Sequence, residues 1–553
     1  MWKAPYPPHA RDGPTGIVGA GLTAEGGGDG PRARYGETQA LMASRRDELN
    51  AYTFAKRRTL AAFLQPSPWG SEEGAPRPLR AVVPSLIAGA LVLGVFGAWG
   101  MFQPAAPKDW NTPGTRVIVG KQSTTRYVVL KTDGTTRLHP VLNLASARLL
   151  MNGADYQVVQ ISDKILDSGK PPRGPILGIP YAPDRLPTPD EAGTAKRWAV
   201  CEQPGGKGST VQEAMFVLAD RDVRRTDGSE RLSGGEVLYV RTRAGERYLV
   251  DAAGKAYPVA GEATGVENQK LTETLVGSKQ PQLVTKEWIG TLHRGDPISF
   301  PRLPAGVGSP AGVPGQLSDE ENRVGMILVT ETGEGEKYYV VLPGAVKPVS
   351  AFTAWLLINS PQSAVLDMNG EASKVGLQDF TADGTPFAGQ PSDWPTRRAS
   401  MVNSASANSG RDTVCNVLSG VDDDNGTTLR TWAGTEYPAE IAAGGTGTYV
   451  TPGTGLLYTQ IQGTDSDSGS LFLVTDTGLR YAVQANGDSD SERSGVGADG
   501  KKETSDGTPE PSEAQVKLGY ENVRPAKVPL VWSEFLAKGP RLDTNSARQP
   551  QGS

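Results

Sequence analysis

The stretch from Ala81 to Phe102, AVVPSLIAGALVLGVFGAWGMF, constrains this 553-residue chain more than any other. No charged residue interrupts it, and a helix of that length, at about 1.5 Å per residue, reaches roughly 33 Å. That is the thickness of a bilayer's hydrocarbon core. The competing readings are a buried core helix and a secretory signal, but a signal's apolar region is shorter, lies near the N-terminus and ends at a small-residue cleavage site. Residues 81–102 are therefore predicted to cross a membrane once. The preceding tail carries Arg45, Arg46, Lys56, Arg57, Arg58, Arg77 and Arg80. Positive charge stays inside, so the N-terminus is expected in the cytoplasm and the body after the span outside. Trp99 and Trp110 fall where an outer aromatic belt would sit. Ala90, Gly94 and Ala98 recur every four residues and form a small-residue stripe suited to close packing on another helix; the plainer reading is that such residues are common in spans.

Charge excludes one class of partner. With 56 basic against 61 acidic residues the chain has no excess of positive charge for a nucleic acid. Gly 68 and Pro 43 supply turns in abundance, and a hydrophobic share of 37% favours small β-rich modules over one large core. Both cysteines, Cys201 and Cys415, fall on the outer side, where a disulfide persists.

Before the span, residues 1–39 lack apolar periodicity and are expected to be disordered. Residues 40–66 are predicted to form a helix ended by Pro66, with Ser44 and Asp47 as a capping pair. Leu49, Tyr52, Leu60, Phe63 and Leu64 fall broadly to one side of it, and Arg45, Arg46, Lys56, Arg57 and Arg58 supply charge. A basic amphipathic helix beside a span lies on anionic lipid or docks a cytoplasmic partner; a merely solvated helix is the alternative. Residues 67–80 read as a linker.

Beyond the span one pattern is written four times, ending at Val141, Val259, Val349 and Val483. Each copy has an apolar strand, a polar turn, and a second strand opening on Tyr127, Tyr248, Tyr339 or Phe472. A Gly turn and a short third strand follow, closed by Pro-Val in three copies and Ala-Val in the fourth. A helical run comes next: LNLASARLL, NQKLTETLVG, SAFTAWLLIN and, after an interruption, VPLVWSEFLAKG. The expected units are repeat 1 at 112–170, repeat 2 at 234–295, repeat 3 at 322–395, and repeat 4 at 454–485 with 514–543. Residues 486–513 read as a disordered insertion and 544–553 as a frayed tail.

The spacing carries a higher order. Tyr127 to Cys201 and Tyr339 to Cys415 span 74 and 76 positions, and the cysteines close matching strings, RWAVC and RDTVC. The body thus reads as one half written twice. Segments 175–233 and 396–453 are expected to form one β-rich central domain about a pseudo-twofold axis. Equivalent residues of two halves approach each other only near such an axis, so Cys201 is predicted to pair with Cys415, against the alternative of two separate buried thiols. The fold class is α+β: a single transmembrane helix, then an elongated extracytoplasmic body of four small sheet-plus-helix repeats around that centre.

Catalytic chemistry is hard to find. His9, His139 and His293 have no metal-ligand neighbours at useful spacing, and His139 takes a repeat position held elsewhere by Tyr257, Lys347 and Tyr481. The glycine-rich strings around Lys207 and Lys501 miss the G-x-x-x-x-G-K-[ST] pattern. Residues Asp422 to Gly426 evoke a calcium loop but are out of register for one and read as a polar turn. No cofactor or metal is expected.

Several strings nevertheless resemble one family. SRRDELNAYTFAKRRTLAAFLQP (Ser44 to Pro66), the span, RYVVLKTDGTTRLHPVLNLASARLL (Arg126 to Leu150), the two cysteines and YYVVLPGAVKPVSAFTAWLL (Tyr338 to Leu357) are similar to EccB, the bitopic subunit of type VII (ESX) secretion systems. The resemblance covers about Leu41 to Leu542. It implies assembly in a hetero-oligomer with an FtsK/SpoIIIE-type ATPase and other membrane subunits, and with no phosphate loop in the chain the reading is a non-enzymatic scaffold. Arg45, Arg46, Lys56, Arg57 and Arg58 would dock the partner, and Ala90, Gly94 and Ala98 would pack the span. The rivals are a membrane-anchored module gripping cell wall and a nucleotide hydrolase, an activity ascribed to the family.

Overall fold

A computed structural model describes residues 45–64, 79–102 and 106–551, the last with interruptions at 154–155, 206–209, 260–264, 390, 392, 443–444, 446, 464–468 and 485–511. The expectations for residues 1–39, for linker residues 67–78 and for Ser44 as a cap lie outside the described residues; Leu79 and Arg80, expected in the linker, instead begin a helix. The chain divides into two units, Met1–Gln103 and Pro104–Ser553.

The first unit contributes two helices, α1 (Arg45–Leu64) and α2 (Leu79–Phe102). The helix expected at 40–66 forms, but its apolar and basic residues do not segregate. Lys56 lies seven residues, two turns, from Leu49 and four from both Tyr52 and Leu60, so charge sits within the apolar arc. The amphipathic expectation is corrected accordingly. In α2 the side chains described are those of 82–98, and among the described residues no helix is long and apolar enough to cross a membrane. Those side chains are bare on every side: Val83, Leu86, Leu93 and Phe96 are all more than half exposed.

In the second unit each repeat is a three-stranded antiparallel meander. In the first these strands are Arg116–Gly120, Arg126–Thr132 and Thr135–Val141. The repeat aromatic faces the proline of the third strand: Tyr127 pairs with Pro140, Tyr248 with Pro258, Tyr339 with Pro348, and Phe472 with Ala482. Proline is tolerated there because its carbonyl, and not a donor, is what the neighbouring chain uses. Leu177, Ile298 and Phe387 donate to the carbonyls of Pro140, Pro258 and Pro348, and Leu542 donates to that of Ala482. Glycine at the turn between second and third strands is demanded by φ values of 77°, 74°, 68° and 77° at Gly134, Gly254, Gly344 and Gly478.

After the meander the chain does more than lay down a helix. In the first repeat, helix Leu144–Leu149, capped by Asn143, leads to a strand, Gln157–Ile161, that returns parallel to the first strand. A second helical turn follows, Asp163–Leu166, and the chain then runs parallel to the third strand at Arg173 and Leu177. Repeat 1 therefore continues past 170. Repeat 2 has the same plan, with helices Val266–Val276 and Lys286–Gly290; repeat 3 keeps the helix Ala351–Ile358 and the return strand Ser373–Lys374, with no second helix after that strand among the described residues. In repeat 4 the string VPLVWSEFLAKG is not the expected helix. That place belongs to Glu513–Lys517, capped by Ser512, so the insertion expected to run to 513 stops short of it. The string instead ends the strand Ala526–Pro529, turns once at Leu530–Ser533, and closes as strand Ala537–Lys538.

Of the tail expected to fray, residues 544–551 are anchored. Asp543 caps the helix Thr544–Ala547 by accepting from Ser546 N at 2.8 Å, and Ala547 is fully buried. Gln551 donates from its backbone to Ile176 O at 2.8 Å and from its side chain to Gly178 O at 2.9 Å. The end of repeat 4 is thereby sewn to repeat 1. Repeats 1 and 4 share one apolar core, with Leu149 and Val117 among Leu457, Tyr481 and Leu518; repeats 2 and 3 share another, with Tyr257 and Leu271 against Phe352, Leu356 and Trp394. A twofold relating repeat 1 to 3 and 2 to 4 requires that correspondence.

Candidate functional site

At the centre lies a five-stranded sheet in the order Thr427–Gly434, Thr413–Val421, Arg197–Pro204, Val211–Leu218, Thr448–Val450. Two hairpins, one from each half, meet along Arg197–Pro204 and Thr413–Val421 in antiparallel register, with Cys201 directly opposite Cys415. The register is symmetric about that pair, with Glu202 opposite Val414 and Val200 opposite Asn416. The cysteines are disulfide-bonded, their Cα atoms 4.0 Å apart, and both are fully buried. Each half then crosses over. Leu232 donates to Thr431 O and Ala433 to Glu230 O on the second hairpin, while Thr448–Val450 runs along Met215–Val217 of the first. The arginines of the two matching strings clamp the sheet's surroundings: Arg197 pairs with Asp227 at 2.9 Å, and Arg411 with Glu236 at 3.2 Å.

Side chains alternate across a strand, so neighbours in sequence serve opposite faces. The disulfide face holds Ala199, Phe216 and Trp432 under Tyr437 and Tyr449. The other face carries Trp198, Val200, Met215 and Val414 against repeats 2 and 4, with Trp288 and Trp532 inserted. The polar side chains fully buried on it include Glu202 and its counterpart Asn416, with Thr431 paired opposite Asn416. Glu202 accepts from the backbone N–H of Thr285 at 2.9 Å and from the Thr285 hydroxyl. Burial, the largest influence, pushes its carboxyl up to about 7, against the lowering effect of those two donors. Asn416 donates to Thr291 O at 2.8 Å, and Trp288 Nε1 to Val200 O at 3.0 Å. Sequence reasoning missed Glu202, although an acidic residue inside the apolar string WAVCE was the available signal.

The remaining expected residues do not converge. Arg45, Arg46, Lys56, Arg57 and Arg58 are exposed on α1. Ala90, Gly94 and Ala98 line a shallow apolar groove on α2 with Ile87, Leu91 and Val95, and a Cβ added at Gly94 would meet nothing within 4 Å. His139 is buried and bonds Pro175 O through Nδ1 at 3.0 Å; burial lowers its pKa. His293 bonds the Thr427 hydroxyl at 2.7 Å. Asp422 accepts from Gly426 N at 2.6 Å, and Asn425 has φ 61°, so this segment is a hairpin turn. His9, Lys207 and Lys501 lie outside the described residues. Among the described residues no group of three or more His, Cys, Asp or Glu could hold a metal ion.

Comparison with known proteins supplies the context. The ESX-3 secretion system ATPase EccB3 of Mycolicibacterium smegmatis is 27% identical over 434 residues, 73% of this chain and 76% of that protein. The ESX-2 secretion system ATPase EccB2 of Mycobacterium tuberculosis is 27% identical over 474 residues, 80% of this chain and 87% of its own length. Two solved structures share the fold. A chain of the intact ESX-5 inner membrane complex matches at TM-score 0.53 and 22% identity, over 94% of this chain and 98% of that one. The EccB3 dimer from the ESX-3 core complex matches at TM-score 0.51 and 22% identity, over 78% and 99%. The family model described as type VII secretion system ESX-1, transport TM domain B, matches residues 41–552, and the chain therefore belongs to the EccB family of type VII secretion systems.

Proposed function

We propose that this chain is a structural scaffold subunit of a type VII secretion membrane complex, held in the membrane by α2 with α1 inside and the body outside. Family membership carries the reading. The uncharged stretch of α2 supports the span: the side chains of 82–98 are exposed, and apolar ones such as Leu86, Leu93 and Phe96 need an apolar surrounding, which lipid or other spans provide. Protease added to wall-stripped cells is expected to degrade everything after Lys108 and spare the tail. A protected body would overturn the orientation.

Basic residues on α1 are the docking element for cytoplasmic subunits, an FtsK/SpoIIIE-type ATPase among them. Replacing Arg45, Arg46, Lys56, Arg57 and Arg58 with Glu is expected to leave the chain in the membrane fraction but release it from the complex. The readout is native mass after gentle detergent extraction. A complex of undiminished mass would show that α1 is only a solvated helix. The relatives carry "ATPase" in their names; we infer a scaffold here because neither glycine-rich string has the phosphate-loop spacing. ATP turnover by purified chain that disappears in Lys207→Ala or Lys501→Ala would reverse that inference.

A further inference from the structure

We propose that Glu202 makes the joint between the central sheet and the second repeat proton-linked, so that the joint is tightest in acidic surroundings and loosens as they approach neutrality. The geometry is that of a latch. Thr285 caps the helix Lys286–Gly290 by accepting from Trp288 N at 3.1 Å, and the same hydroxyl donates to Glu202. One carboxyl of the sheet thus holds the N-terminus of the helix that inserts Trp288 into the core. At the helix's other end the latch is Asn416, whose amide nitrogen donates to the Thr291 carbonyl and hydroxyl at 2.8 and 2.9 Å. The two latches occupy equivalent positions in the two halves, one residue after each cysteine. A neutral amide serves at one and an ionisable group at the other.

The groups acting on Glu202 all disfavour its charge except Thr285. Glu213 faces it directly on the adjacent strand, and Glu287 lies in the first turn of the latched helix. On the opposite face of the sheet the Tyr437 phenol is raised by burial first and then by Glu202, Glu213 and Asp412. With the joint closed the carboxyl titrates near 7, against 4.5 when it is released to solvent. Between those values the closed form holds more protons than the open one, so opening becomes easier as pH rises through the window and levels off above it.

Hydrogen exchange on the full chain in detergent tests this, read in peptides covering residues 197–204 and 285–292 and scaled for intrinsic exchange. Peptides from 327–342 in repeat 3 serve as the internal reference. The opening constant of the joint is expected to rise at least about tenfold from about pH 5 to about pH 8, since each unit of displacement is a factor of ten. Glu202→Gln should abolish that rise. Glu213→Gln combined with Glu287→Gln should keep it but move its midpoint to lower pH. A flat wild-type profile, or an undiminished rise in Glu202→Gln, overturns the proposal. Should Glu202→Gln fail to fold, an unmoved midpoint in the Glu213/Glu287 variant overturns it equally.

Discussion

Replacing both Cys201 and Cys415 with Ala is expected to lower the stability of the body by about 5 kcal/mol. The bond closes a loop of 214 residues. In the chain-entropy model a loop of that length restricts the unfolded ensemble by roughly 5 kcal/mol. Its placement makes the effect visible, because it ties the two strands along which the central hairpins of the two halves meet. Loss should therefore weaken the central sheet first, while each repeat keeps its own meander. Urea midpoints for oxidised protein, reduced protein and the double variant, followed by backbone exchange, separate these outcomes. Equal midpoints for all three would mean that the strand pairing, the crossed-over linkers and the cores shared between repeats hold the halves together without the bond.

What could be read from the sequence was what is local. The meanders were legible because apolar alternation, a glycine turn and a Tyr-to-Pro pairing are all specified within about twenty-five residues; Tyr127, Gly134 and Pro140 define the first and recur in order. The cysteine pair was legible from spacing, since a duplicated half needs a symmetric place for its repeated string. The return strands were not. Ser373–Lys374 and Gln282–Leu283 are two residues long and exist only because a distant first strand offers its edge. Composition misled at the C-terminus, where NSARQPQ is polar enough to read as frayed. Its anchoring is by backbone bonds to Ile176 and a capping Asp543, which hydropathy does not register. In repeat 4 the displaced five-residue helix Glu513–Lys517 is too short for periodicity, and the more apolar VPLVWSEFLAKG took its place in the reading.

The candidate site shows the same division. Basic residues on α1 were found by type, but the helix mixes them with Leu49 and Tyr52 on one arc, so a docking surface there would combine charge with apolar contact rather than present two separate faces. Glu202 was passed over, despite the signal in WAVCE, because its burial is created by repeat 2, whose Thr285 lies 83 positions later. The exchange of linkers between the halves left no mark in the sequence, for it depends on which hairpin edge each linker reaches.

Replacing Trp288 with Ala is expected to cost about 3–5 kcal/mol, the range for emptying a buried large side chain. The ring is fully buried in the cluster that joins the central sheet to repeats 2 and 4, and its Nε1–H donates to Val200 O at 3.0 Å. Trp288→Phe keeps most of the packing and loses the indole bond, so it should cost about 1 kcal/mol for the bond plus the smaller loss of volume. The order Ala well below Phe, and Phe below wild type, distinguishes packing from hydrogen bonding as the main tie. Because the disulfide lies on the opposite face of the same strands, Trp288→Ala should undock repeat 2 while the two hairpins stay joined. Urea midpoints measured with the bond intact, together with exchange in residues 285–292, report the two separately. If Trp288→Ala and Trp288→Phe shift the midpoint equally, the cost lies in the Val200 bond; if neither shifts it, repeat 2 is held by the latches at Glu202 and Asn416, and the indole is a passenger.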